Sequence, residues 1–98
     1  MNLGNTITHL REQKGMKQGQ LADILGISQT YLSQIENNKK TPNIPLLEKI
    51  GSEFSTPLPL LFFLSLDEKD IPPKKRGDFK KLNPLIRDFI GNLINIHD

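Results

Sequence analysis

Side chains able to do covalent or metal chemistry are few in this 98-residue sequence, and badly placed for it. Its two histidines, His9 and His97, lie near opposite ends of the chain. Neither a metal cluster nor a general base beside a nucleophile is expected from them, and His9 reads as a surface residue. Cysteine is absent, which rules out thiolate ligands and disulfides. No glycine-rich loop of the phosphate-cradling kind is present. No enzyme activity, metal or cofactor is therefore expected. What remains is hydrogen bonding and charge. Between Gln18 and Lys40 the chain carries amides and hydroxyls that both donate and accept, followed by Lys39-Lys40. Taken alone, these groups read equally well as a solvated helix face.

The elements that would hold them are helices. Leucine (15) and isoleucine (11) dominate the apolar set, while valine and tryptophan are absent, which supplies a sheet poorly. Leu3, Ile7 and Leu10 fall on one face of a first helix, ended by Gly15. A second helix, about Lys17 to Leu25, places Leu21, Ala22 and Leu25 on one side and stops at Gly26. Ser28 is a good N-cap for a third, which buries Leu32 and Ile35 and ends at Asn37-Asn38. Pro45 suits the start of a fourth, with Leu46, Leu47, Ile50 and Phe54 as its buried stripe. Thr56-Pro57 starts a fifth, apolar at seven of the nine positions from Leu58 to Leu66. That is more than one amphipathic face requires.

Residues 67–78, DEKDIPPKKRGD, lack period and read as a linker. The expected last element spans 79–98, with its helix opened by Asn83-Pro84. There Leu82, Ile86, Phe89, Leu93 and Ile96 form a short heptad-like seam, widened by Leu85, Ile90 and Ile94. It is too short to stand alone and must dock on something.

Residues Gln18–Glu36, QGQLADILGISQTYLSQIE, resemble the helix-turn-helix of the lambda-repressor-like family, also called Cro/CI or XRE type. Leu21, Ala22, Leu25, Gly26, Ile27, Leu32 and Ile35 stand where that motif takes apolar, small or turn residues. The small side chain of Ala22 lets the two helices approach. Asn37, Asn38, Lys39 and Pro42 resemble the family's following loop, with Asn38 in place of the more usual glycine. The resemblance covers roughly residues 3–66. It implies an all-α, five-helix DNA-binding domain over 1–66, to which the C-terminal helix adds a sixth.

It also implies roles. Base contacts would fall to Gln29, Thr30, Ser33 and Gln34, since a glutamine can bond adenine through N6 and N7. Phosphate contacts would fall to Gln18, Ser28, Tyr31, Asn37, Asn38, Lys39 and Lys40, with the dipole of the second helix assisting at Gln18. Arg11 and Glu36 match a structural ion pair. The implied partner is double-stranded DNA, at a pseudo-palindromic operator, bound by a homodimeric transcriptional regulator. Leu58, Leu61, Phe62, Phe89 and Leu93 are the expected dimer interface. The alternative is a protein-interaction module on the same fold, such as an antitoxin or antirepressor.

Net charge is only +2, so any nucleic-acid contact must rest on local placement of charge. No apolar run approaches the length of a membrane span, and the first residues lack a signal-peptide pattern. A cytoplasmic protein is expected, without membrane or small-molecule partner.

Overall fold

The computed structural model describes residues 1–94, so Ile96 of the expected seam and His97 lie outside the described residues. Six α-helices follow one another: α1 (Leu3–Gln13), α2 (Gln18–Leu25), α3 (Gln29–Glu36), α4 (Ile44–Glu53), α5 (Leu58–Ser65) and α6 (Arg76–Leu93). Among the described residues there is no strand. No described helix is long and apolar enough to cross a membrane.

Short polar caps set the helix starts. Asn2 accepts from the Asn5 N–H at 3.1 Å, Ser28 from Tyr31 at 3.0 Å and Asn43 from Leu46 at 2.9 Å. Each such cap is worth about 1 kcal/mol. α2 ends where Gly26 takes φ +71° and Ile27 N–H returns to the Ala22 carbonyl. A side chain at Gly26 would oppose that turn.

One apolar cluster joins the first five helices. Ile7 and Leu10 of α1, Leu21, Ala22 and Leu25 of α2, Leu32 and Ile35 of α3, Leu47 and Ile50 of α4, Phe54 and Leu61 are all nearly inaccessible. Burying each of the larger side chains is worth about 2 kcal/mol. Gly4 lets α1 lie directly on the end of α3. A Cβ there would sit 2.5 Å from the Glu36 carbonyl oxygen and 2.6 Å from that of Ile35.

The C-terminal part departs from expectation. Residues 67–78 contain two 3-10 turns, Glu68–Asp70 and Pro73–Lys75, and the start of α6. Asn83 does not cap the last helix; α6 begins at Arg76 and runs through Pro84. The extra two turns are held from outside. The Arg76 Nε donates to the carbonyls of Glu68 and Ile71, each at 3.0 Å, and Lys80 pairs with Glu68 at 3.2 Å. Pro84 removes one rung of the helix, the bond to the Lys80 carbonyl, and the helix continues past it.

α6 touches the five-helix body lightly. Its one buried residue is Ile90, Ile94 packs at the core edge, and Arg87 donates to the Leu64 carbonyl at 2.6 Å. A cleft of about 760 Å³ separates it from α1 and the end of α5. Leu82, Leu85, Ile86, Phe89 and Leu93 are exposed along its outer side.

Candidate nucleic-acid interface

α2 and α3 are joined by Gly26, Ile27 and Ser28, and lock together through Leu21, Ala22 and Leu25 against Leu32 and Ile35. Burying Leu32 and Ile35 fixes which face of α3 looks outward. Gln29 and Thr30 are exposed there, with Ser33 and Gln34 half-buried one turn on. These four side chains share a surface because positions three and four apart are neighbours on a helix.

At the start of α2, the N–H groups of Gln18 and Gly19 precede the first helical bond and take no partner in the described chain. Two amide donors at a positive helix end form an anion-binding arrangement. Lys17, exposed at the N-cap position, adds a cation that sequence reasoning passed over.

The loop after α3 is closed on itself. The backbone N–H groups of Lys39 and Lys40 both reach the Gln34 carbonyl, at 2.8 and 3.2 Å, and those of Asn37 and Asn38 reach Ser33 and Ile35. Anything this loop gives to a phosphate must therefore come from side chains. Lys39 and Lys40 are exposed and form no ion pair among the described residues. The amide of Asn37 is turned back onto α3, donating to the Ser33 carbonyl at 2.8 Å.

Asn38 does not fit the expected phosphate role. Its Oδ1 accepts from the Gly4 N–H at 2.9 Å and its Nδ2 donates to Asn2 at 2.8 Å, so its amide ties α3 to the start of α1. The backbone there has φ +59°, which asparagine tolerates. Ser28 spends its lone pair on the Tyr31 N–H and keeps its own proton to donate. Tyr31 is half-buried and rests against the core.

Behind the polar face, Arg11 grips Glu36 with two bonds, Nε to Oε2 at 2.9 Å and Nη2 to Oε1 at 3.0 Å. The remaining guanidinium arm reaches the Met16 carbonyl at 2.8 Å. The hydrogen bond from Glu36 is the main cause raising the Arg11 pKa further above its ordinary value. Gln18 Nε2 also reaches Glu36 Oε1, at 3.1 Å, and Gln29 Nε2 approaches Gln18 Oε1 at 3.5 Å. Nothing in the spacing of Gln18 and Gln29 signals this contact, because it depends on how α2 and α3 pack.

Of the residues expected at a dimer interface, Leu61 is overturned: it has no accessible surface and belongs to the domain's own core. Leu58 and Phe62 are half-buried against that core. Phe89 and Leu93 are 62% and 59% exposed and remain available for contact. His9 is exposed on α1. No group of His, Asp and Glu among the described residues is placed to hold a metal ion.

The profile of a helix-turn-helix family matches residues 7–61. The ImmF control region 10 kDa protein of Bacillus phage phi105 is 43% identical over 49 residues, covering 50% of this chain and 54% of that protein. The HTH-type transcriptional regulator SinR of Bacillus licheniformis is 36% identical over 69 residues, covering 69% of this chain and 59% of its own length. The HTH-type transcriptional regulator SutR of Escherichia coli (strain K12) is 36% identical over 55 residues, covering 56% of this chain and 31% of that regulator. The chain thus spans between about a third and three-fifths of the length of these relatives. No solved structure matches it. With the matched region running from α1 into α5 and enclosing the α2-turn-α3 unit, this chain belongs to the lambda-repressor-like, XRE-type helix-turn-helix family.

Proposed function

We propose that this chain binds double-stranded DNA sequence-specifically, as a dimeric transcriptional regulator. The observation that carries this is the outer face of α3: Gln29, Thr30, Ser33 and Gln34 look outward while Leu32 and Ile35 anchor the helix from behind. A helix so held enters the major groove and reads base edges with amides and hydroxyls. Gln29 is the principal reader, with Thr30, Ser33 and Gln34 beside it. Phosphates are met on one side by the free amides of α2 with Gln18 and Lys17, and on the other by Lys39, Lys40 and the Ser28 hydroxyl. The names of the SinR and SutR relatives, transcriptional regulators, support the same reading.

A second copy of the chain is the proposed occupant of the exposed side of α6. Leu82, Ile86, Phe89 and Leu93 follow a 4-3-4 spacing, the spacing of a two-helix seam, and are 53%, 37%, 62% and 59% exposed. Pairing there would bring two α3 helices to half-sites about one DNA turn apart. Selection of bound sequences from a random duplex pool tests both parts. A pseudo-palindromic site is expected. Failure to enrich any sequence, with tight capture of a protein partner instead, would favour an interaction module.

A further inference from the structure

Three helices contribute to one chain of polar contacts: Arg11 of α1 to Glu36 of α3, Glu36 to Gln18 of α2, and Gln18 to Gln29 at the start of α3. The first link is charged and nearly inaccessible, with Glu36 only 5% exposed. The last link lies at the surface, where Gln29 is exposed. A primary amide has two faces of opposite character, an acceptor oxygen and a donor NH2. Left to itself on a helix surface, Gln29 could present either order along a groove.

The contacts remove that freedom, in a sequence fixed by elementary chemistry. An ionised carboxylate accepts and cannot donate. Glu36 Oε1, 3.1 Å from the Gln18 amide, therefore demands the NH2 group of Gln18. That turns the Gln18 oxygen toward Gln29. At 3.5 Å this oxygen in turn favours the NH2 group of Gln29 over its oxygen. Arg11 keeps Glu36 charged and in place by its paired bonds. Gly19, whose missing side chain leaves room beside the Gln29 oxygen, accommodates the resulting orientation.

We infer that Glu36 is a specificity-positioning residue: acting through Gln18, its buried carboxylate sets the donor-acceptor order that Gln29 presents to DNA. This rests on the reading of Gln29 as a base contact. One NH2 hydrogen of Gln29 goes to Gln18; the other, with the oxygen, faces outward as a directed pair. Adenine shows an acceptor, N7, next to a donor, N6, on its major-groove edge. A directed amide matches that pair in one orientation only. An undirected amide accepts it in either orientation and discriminates less.

The test compares sequence selection by the full chain and its variants on random duplex pools, at a temperature where circular dichroism shows each to be folded. Gln29→Ala establishes which base position Gln29 reads. Glu36→Gln supplies a neutral group that can show Gln18 either face. Adenine preference at that position should fall roughly tenfold, a share of the discrimination one bidentate pair supplies, with the other positions of the site unchanged. Gln18→Leu, which leaves the Arg11–Glu36 pair intact, should loosen the same position. Should Glu36→Gln fail to fold, the double variant Arg11→Met/Glu36→Gln removes both buried charges together, and the same narrow loss is expected.

In a Gln29→Ala background, neither Glu36→Gln nor Gln18→Leu should alter selection further. If Gln29→Ala shifts one position but the Glu36 and Gln18 variants do not, the relay is wrong and the base contact stands. Loss spread evenly over all positions would mean that Glu36 serves only the fold, and would also overturn the relay. If Gln29→Ala changes no position, both the relay and the base contact fall.

Discussion

The side chain of Asn38 bridges to Asn2, Nδ2 to Oδ1 at 2.8 Å, while its own oxygen takes the Gly4 N–H at 2.9 Å. The loop that follows the recognition helix is thereby fastened to the first turn of α1, 34 residues away in sequence from Gly4. Asn38→Ala should cost about 2 kcal/mol, from the lost hydrogen bonds and from alanine's poor tolerance of φ +59°. Asn38→Gly should cost less, since glycine accepts that backbone without strain. Urea unfolding of both variants measures the difference. The salt dependence of DNA binding should be the same in both as in the parent chain.

Gly4→Ala should destabilise by about 1–3 kcal/mol. The two nearest atoms are main-chain oxygens of α3, which have no rotamer to escape into. Thermal unfolding checks the loss.

Arg11→Ala leaves the Glu36 carboxylate buried without its main partner, and the Met16 carbonyl without its donor. Breaking one side of such a pair costs about 3–5 kcal/mol. Arg11→Lys should rescue little of this, because an ammonium cannot supply the two parallel bonds to Glu36 and a third to Met16. Denaturant midpoints of the two variants decide it.

Binding should weaken steeply with salt, with a log–log slope of roughly −4 to −7 for a dimer. Since the loop's backbone amides are already used, Lys39→Ala/Lys40→Ala should flatten that slope by about 2 per subunit. Specific and random duplexes should lose affinity alike. An unchanged slope would remove both lysines from the phosphate contact.

Neighbours on α6 should behave oppositely. Phe89, 62% exposed, faces away from the body, whereas Ile90, 2% exposed, pins α6 to it. Phe89→Glu should leave the unfolding midpoint nearly unchanged and yield a monomer in sedimentation at micromolar concentration. Ile90→Ala should cost about 2–4 kcal/mol. A dimer that survives Phe89→Glu would place the interface elsewhere.

The first five helices were legible because local signals agreed with packing. Gly26, Ser28 and the spacing of Leu21, Ala22, Leu25, Leu32 and Ile35 each mark the same turn between two helices. α5 was harder. A helix apolar all round says nothing of which side is covered, and so Leu61 read as interface although it fills the core. The start of α6 was hidden because residues 76–83 are held by Arg76 and Lys80 reaching to the preceding 3-10 turn, while Pro72, Pro73 and Pro84 all suggested a later beginning. Side-chain commitments such as that of Asn38 depend on segments brought together only by folding, and no local spacing reveals them.

The Arg11–Glu36 pair has an electrostatic consequence at longer range. Between residues 13 and 47 the sequence holds only two carboxylates, Asp23 and Glu36. Unpaired, Glu36 would stand at the end of α3 and repel a polyanion approaching its outer face. Met by a guanidinium at 2.9 Å, its field falls off as that of a dipole, and beyond a Debye length of about 8 Å little of it remains. The potential seen from outside α3 is then governed by Lys39 and Lys40. A chain with a net charge of only +2 can in this way show a locally positive face.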